Sequence, residues 1–305
     1  MGLGSKENAA RSLRFGLWTV FLIALFSSQI FALVRFAIHD SDASHIVLVP
    51  FISAWLMYLE REKIFARLST DLPFGIFLLL VGVGLSIWTF HSSPGWSMRD
   101  RSAGNALAVV ILWIAGFALF FGRTALRASR FAVLFLFLGV PLPDFLLNRI
   151  ILALQAGSAA LTALLFDLVG QPYLREGFVF RLPLLAIKVA AECSGIRSSI
   201  ALLILALLIS HFSYRPFWKK AVFVAAGFAI MIVKNGVRIA SLTLLAIYVN
   251  PDFLYGNLHH RGGVLFFLIG LALLVPVFWL LRRGEDSLQS DATSLTKPKT
   301  EALSD

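Results

Sequence analysis

The residues best suited to chemistry lie in three short segments of the C-terminal half of the chain. They are Glu192, Cys193 and Arg197 in the first segment, Asn235 and Arg238 in the second, and His259, His260 and Arg261 in the third. Because Cys193 is the single cysteine, an intramolecular disulfide and a multi-cysteine metal site are both excluded. A thiol, a guanidinium and an imidazole that meet in the fold can carry out nucleophilic acyl transfer.

In such a reaction Cys193 would attack a peptide carbonyl as a thiolate, the form that neighbouring cations stabilise. A histidine takes up and returns the proton, because its ordinary pKa lies near neutrality. Arg238 would donate to the developing oxyanion as a permanently charged, planar group. Water or an amine would then resolve the thioester. This chemistry calls for no metal and no cofactor.

Each of these residues also has a purely structural interpretation. A lone cysteine in an apolar helix commonly packs as a small hydrophobic residue. Arg238 could serve as an ion-pair partner of Glu192 or Asp252, and the histidines could be plain interfacial residues. Lys234 is interpreted as structural, since a long amine side chain reaches the interface or a partner.

The composition identifies the environment in which these residues must be positioned. Of 305 residues, 58% are hydrophobic and 14% are charged, and the mean hydropathy is +0.83. A soluble domain has about 45–50% apolar residues, so a water-soluble enzyme is excluded. The excess of 27 Lys and Arg over 17 Asp and Glu is therefore interpreted as a topology signal and not as a nucleic-acid-binding surface.

Apolar runs predict an all-α polytopic membrane protein with about eight transmembrane helices. The runs lie at 15–34, 46–59, 74–90, 103–122, 131–143, 189–210, 221–248 and 264–281. Basic residues fall on alternate connections, from Lys6 and Arg11 at the start to Arg282 and Arg283 after the last run. The positive-inside rule places both termini in the cytoplasm, which agrees with an even number of spans in the cell inner membrane.

The stretch 144–169 is apolar enough for a further span but contains several polar residues. Counting it would place Arg215, Lys219 and Lys220 outside, so we expect an outer amphipathic or re-entrant helix instead. Residues 170–172 should end this helix, and the alternation that follows predicts a short outer hairpin.

The domain organisation expected from these features is simple. Residues 1–283 form a single integral membrane domain with the catalytic motifs in 185–270, and residues 284–305 form a disordered cytoplasmic tail.

This threading brings the three segments to one level near the outer surface. The run 188–197 opens the sixth span on the outer side; if helical, it places Lys188 and Glu192 four residues apart and Arg197 one turn past Cys193. Arg238 falls in the outer part of the seventh span, and the two histidines lie in the outer loop before the last span.

The segments resemble the motifs of the exosortase/archaeosortase family of membrane transpeptidases. The resemblance is carried by Ala191-Glu-Cys193-Ser194-Gly195-Ile-Arg197-Ser198, Asn235-Gly-Val-Arg238-Ile239 and His259-x-x-x-Gly263-x-x-x-Phe267, with further similarity at Phe137 to Pro143 and Gly170 to Leu184. It implies a catalytic set of Cys193, Arg238 and His259, with Arg197, Asn235 and Glu192 near the substrate. Because His260 follows directly, the resemblance does not decide which of the two histidines is catalytic, although the spacing to Gly263 favours His259.

The resemblance also implies a function: cleavage of C-terminal sorting signals, each a short Pro-containing motif, a transmembrane helix and a basic end. The partners would be such substrate proteins, the bilayer and the exopolysaccharide export machinery. One alternative is a transporter for an anionic lipid or solute, in which Arg197, Arg238 and Arg261 bind the ligand. A weaker alternative is a scaffold for an exopolysaccharide machine. Cys193→Ala separates these possibilities, since only catalysis by the thiol requires that residue.

Overall fold

The structure, a computed structural model, describes residues 3–40, 42–66, 68–92, 95–190, 196–254 and 263–295. Within these ranges it is almost entirely helical, with one small sheet. This confirms the predicted all-α polytopic membrane protein. The chain divides into two compact units, residues 1–149 and 150–305.

The first unit is built around a long helical hairpin. Its helices are α1 (Leu3–Leu25), α2 (Ser27–His39), α3 (Val49–Leu59), α4 (Arg61–Ile64), α5 (Leu72–Ser92), α6 (Met98–Ala128) and α7 (Arg130–Leu136). Helices α5 and α6 are antiparallel, because Gly75 lies against Leu119 and Gly104 lies against Thr89. Aromatic rings of α6, including those of Phe117 and Phe121, enclose Phe15 of α1.

The second unit contains most of α8 (Asp144–Leu168), a sheet and three further helices. These elements are β1 (Leu174–Glu176), β2 (Val179–Arg181), β3 (Ala186–Lys188), α9 (Ile196–Ser213), α10 (Phe217–Tyr248) and α11 (Gly263–Leu295). Helix α8 ends at Leu168, Gly170 two residues later has a φ of +69°, and Gly177 turns β1 into β2 with a φ of +63°. Only glycine adopts such angles without strain. The predicted helix end and hairpin are confirmed, and β3 extends the hairpin to three antiparallel strands.

Helix α10 is the central element of the second unit. Helix α8 runs parallel to it, since Ser158 contacts Asn235 and Gln171 contacts Tyr248. Helices α9 and α11 run antiparallel to it. On α9, Ser198 meets Lys234 and Ala206 lies against Gly227; on α11, Gly270 lies against Lys234 and Leu281 meets Lys219. The sheet and the C-terminal end of α10 therefore lie at one end of the unit. The basic residues of the α9–α10 connection lie at the other.

The number of spanning helices differs from the predicted value of about eight. Six described helices are long and apolar enough to cross a membrane, or seven if α1 and α2, bent by 73°, count as one span. Two predicted spans are shorter helices, Ser44–Leu59 and Arg130–Gly139. The second of these stops where Gly139, Pro141 and Pro143 follow, because proline cannot continue a helix.

Helix α8 is one of the six, so the structure favours the span that the sequence analysis set aside. Its polar residues Gln155, Ser158 and Thr162 are buried inside the unit, and residues 157–162 pack lengthwise along α10. A helix in that position does not lie flat on a membrane surface. The polar side chains that suggested a surface helix are satisfied by neighbouring elements instead.

Two local expectations also differ from the structure. Lys188 belongs to strand β3 and α9 begins at Ile196, so the helical register assumed for 188–197 is wrong at its start. Helix α11 continues to Leu295, whereas the composition of the tail predicts disorder from residue 284.

Candidate active site

Three of the six predicted site residues belong to the part of the chain that the structure describes. These are Arg197, Asn235 and Arg238. Glu192, Cys193 and His259 lie outside the described residues, as do His260 and Arg261. The described portion of the site is therefore the wall formed by α8, α9, α10 and α11.

Asn235 joins α10 to α8 through a buried hydrogen bond. Its side chain is 2% exposed, and Nδ2 donates to Oγ of Ser158 at 3.0 Å. Thr162 adds a bond from its hydroxyl to the Ser158 carbonyl at 2.8 Å. The helices approach closely here because Gly157 and Gly236 carry no side chains, and a Cβ on Gly236 would meet Leu161 at 2.8 Å. The sequence analysis placed Asn235 near the substrate; its contacts show a residue that also sets the spacing of two helices.

Lys234 lies one residue earlier and faces α9. It is 2% exposed, and its Nζ is 2.5 Å from Oγ of Ser198 in the first turn of that helix. Sequence reasoning gave no role to Ser198, although the residue closes the first of the three motifs. The signal that could have found this pair is the cost of a buried amine, which requires a polar partner on a neighbouring helix.

Arg238 lies one turn beyond Lys234 on the same helix. It is half-buried, and its guanidinium carbon is 6.0 Å from the ring centroid of Phe266 on α11. Arg197 is exposed at the start of α9. The two arginines therefore occupy different environments: Arg238 is packed between helices, and Arg197 lies on the surface at the start of α9.

The sheet fixes the chain that leads into the Cys193 segment. Phe166, Tyr173 and Phe180 form an aromatic cluster with ring centroids 5.5–5.7 Å apart, which packs β2 against α8. Nε2 of Gln155 donates to the carbonyl of Val189 at 2.9 Å, one residue after β3. Residues 186–190 are thus anchored immediately before Ala191. Within the described ranges, no group of three or more His, Cys, Asp or Glu side chains could hold a metal ion.

Comparison with known families identifies the family of the chain. A family model described as transmembrane exosortase matches residues 35–276, which includes all three motif segments. The chain belongs to the transmembrane exosortase family. This confirms the resemblance carried by the motifs. It also gives this exosortase, a multi-pass membrane protein, a general peptidase or transpeptidase role. No curated protein and no solved structure matched the chain.

Proposed function

We propose that this exosortase cleaves C-terminal sorting signals through a thioester on Cys193, with Arg238 and His259 completing the catalytic set. The observation that carries the proposal is the position of the α9 start. Ile196 begins α9, and Ser198 two residues later touches Lys234, one turn from Arg238. Chain geometry limits the Cα of Cys193 to within about 11 Å of the Cα of Ile196, which supports a position of the thiol at the same end of the unit.

The acylation step follows from the three side chains. The imidazole of His259 removes the thiol proton as sulfur attacks the carbonyl carbon of the scissile peptide. The guanidinium of Arg238 donates to the carbonyl oxygen as it becomes negative. Collapse of the tetrahedral intermediate breaks the C–N bond, and the imidazolium returns its proton to the leaving amine. The N-terminal protein stays attached to Cys193 as the thioester, and the leaving amine departs with the transmembrane helix of the signal.

The membrane setting supports this substrate class. A sorting signal has its own transmembrane helix, which diffuses in the bilayer and presents its preceding motif at the membrane surface. The site faces the outside of the inner membrane in this proposal. The basic residues Arg215, Lys219 and Lys220, at the opposite end of the unit from the sheet, support that orientation by the positive-inside rule. Contact with exopolysaccharide export machinery stays a prediction.

The test uses the purified full-length protein in detergent and a synthetic peptide with a Pro-containing motif, an apolar helix of about 20 residues and a basic end. Mass spectrometry of the wild type should show a thioester adduct on Cys193. Cys193→Ala should form no adduct and no product, and Cys193→Ser should be nearly as damaged.

The same assay decides between the two histidines. His259→Ala should slow acylation by about 10²–10⁴-fold, the usual contribution of a proton-transferring side chain, whereas His260→Ala should retain most activity. Cleavage that continues in Cys193→Ala would end the cysteine mechanism.

A further inference from the structure

Lys234 is a buried amine that the acylation mechanism does not use. It lies in the interior of α10, 2% exposed, with its aliphatic stem against α11, where a Cβ on Gly270 would meet its Cδ at 3.2 Å. Arg238 on the same helix adds a positive charge that repels an ammonium at this position. Among the described residues Lys234 forms no ion pair with a carboxylate. A buried amine in such a position requires a task or a partner.

The partner of Lys234 differs in kind from that of the other buried lysine of α10. Lys219 is 3% exposed, and its Nζ donates to the backbone carbonyl of Leu281 at 2.9 Å. A carbonyl only accepts, so Lys219 must supply the proton of that bond. The hydroxyl of Ser198 both donates and accepts. The contact between Lys234 and Ser198 therefore persists whether the amine holds its extra proton or not.

The two members of the pair differ in accessibility. Ser198 is half-buried and follows exposed Arg197, whereas Lys234 is enclosed. A proton that leaves a reactant near the start of α9 would therefore meet the more accessible hydroxyl before the amine. A hydroxyl and an amine in contact can pass a proton between them, as in enzymes that pair a serine with a lysine.

We infer that Ser198 and Lys234 form the proton-transfer pair for the second half of the reaction, in which the acceptor resolves the thioester. The inference rests on the proposed function. The acceptor, water or a primary amine, attacks the thioester carbon and forms the new C–O or C–N bond. Its proton passes to Oγ of Ser198 while the hydroxyl proton passes to Nζ of Lys234 in its amine form. The C–S bond breaks, and the proton returns through Ser198 to the sulfur of Cys193.

Acid and base strengths favour Lys234 as the base of the second half-reaction and not of the first. A thiol has an ordinary pKa of about 8.5, close enough to that of imidazole, about 6.5, for a histidine to deprotonate it. Water and amines are much weaker acids and call for a stronger base as they attack. A primary amine is a stronger base than an imidazole, and Lys234 is the amine in contact with the start of α9.

The experiment separates the two half-reactions. The full-length protein is mixed with the sorting-signal peptide described above, and adduct and product are followed over time by mass spectrometry. Lys234→Met, which keeps the length and removes the amine, should acylate at the wild-type rate but release the product about 10²–10⁴-fold more slowly. The thioester should therefore accumulate on Cys193. Ser198→Ala should behave alike, and Ser198→Thr, which keeps the hydroxyl, should recover release.

Lys234→Arg distinguishes proton transfer from a structural charge. An arginine keeps the positive charge but cannot give up its proton in a protein, so this variant should also accumulate the thioester. Normal release by Lys234→Arg would overturn the inference. Lys219→Met is the matched control, a buried lysine of the same helix bonded to a carbonyl, and it should release product normally.

The remaining outcomes are also decisive. Equal losses of acylation and release in Lys234→Met and Ser198→Ala would show a structural pair and reject proton transfer. Absence of any adduct in the wild type would instead reject the proposed cysteine mechanism, so the two failures are distinguishable.

Discussion

At the scale of single residues, the site depends on polar groups that are held by specific partners. Asn235 is bonded to Ser158 and Lys234 to Ser198, so two adjacent residues of α10 point to two different helices. Arg238 packs near the ring of Phe266. A buried polar side chain with a partner costs little, whereas one that loses its partner costs about 1–3 kcal/mol. Each position therefore tolerates few substitutions.

The two arginines should respond differently to replacement by lysine. Arg238→Lys should reduce acylation strongly, because a flexible point charge does not reproduce a fixed guanidinium fork inside the helical packing. Arg197→Lys should retain partial activity, since Arg197 is exposed and a single cation there still attracts the thiolate or the substrate. The measurement is the initial rate of adduct formation on Cys193 in both variants. Equal tolerance of lysine at both positions would contradict this division of roles.

At the scale of elements, the packing of α8 on α10 positions the site. The two helices are parallel and touch along glycines, so the polar layer of Ser158, Thr162 and Asn235 is closed between them. The sheet then returns the chain to the start of α9, held by the Gln155 bond to Val189. A shift of α8 would change both its spacing from α10 and the position of Val189.

Gly236→Ala tests this contact. The new Cβ would lie 2.8 Å from Cδ2 and 2.9 Å from Cβ of Leu161, and overpacking of this kind destabilises by about 1–3 kcal/mol. Unfolding in detergent micelles should shift accordingly, and Leu161→Ala should restore part of the loss. Gly227→Ala on the same helix is the control, since its Cβ would meet Ala206 at an ordinary 3.4 Å. Similar destabilisation of both variants would mean that the close contact between α8 and α10 is not the cause of the loss.

At the scale of the whole molecule, the second unit has two chemically different ends. Glu176 of the sheet and exposed Asp252 lie at the end where α8 and α10 finish, and Arg215 lies at the opposite end. The positive-inside rule predicts that the basic end is cytoplasmic. In that orientation Arg197 and Arg238 would lie in the outer half of the membrane.

Cysteine labelling in intact cells checks this orientation. In a Cys193→Ala background, Glu176→Cys and Asp252→Cys should both react with an impermeant thiol reagent from outside, and Arg215→Cys should react only after the membrane is opened. Labelling of Arg215→Cys in intact cells would mean that the second unit has the opposite orientation in the membrane. Labelling of Glu176→Cys and Asp252→Cys from opposite sides would contradict the parallel packing of α8 and α10.

Features that depend on composition and local order could be predicted from the sequence. Long apolar runs predict helices α5, α6, α9, α10 and α11 because a bilayer span requires that composition, whatever surrounds it. The turn at Gly170 and the hairpin at Gly177 follow from local backbone preferences. The spacing of the three motifs identified the family, and Arg238 and Asn235 could be singled out because ionisable and amide groups are costly at membrane depth.

The partners of polar residues are visible only in the fold. The polar side chains of 144–169, among them Ser158 and Thr162, suggested a surface helix, yet α10 satisfies these two in the interior. The sequence predicts a structural role for Lys234 but not its partner Ser198, which lies 36 positions away. The apolar pattern also did not predict the short helix at Arg130–Gly139 or the break between α1 and α2. The physical reason is common to all of these: hydropathy describes a segment alone, whereas the cost of a polar side chain depends on the hydrogen bonds that distant segments provide.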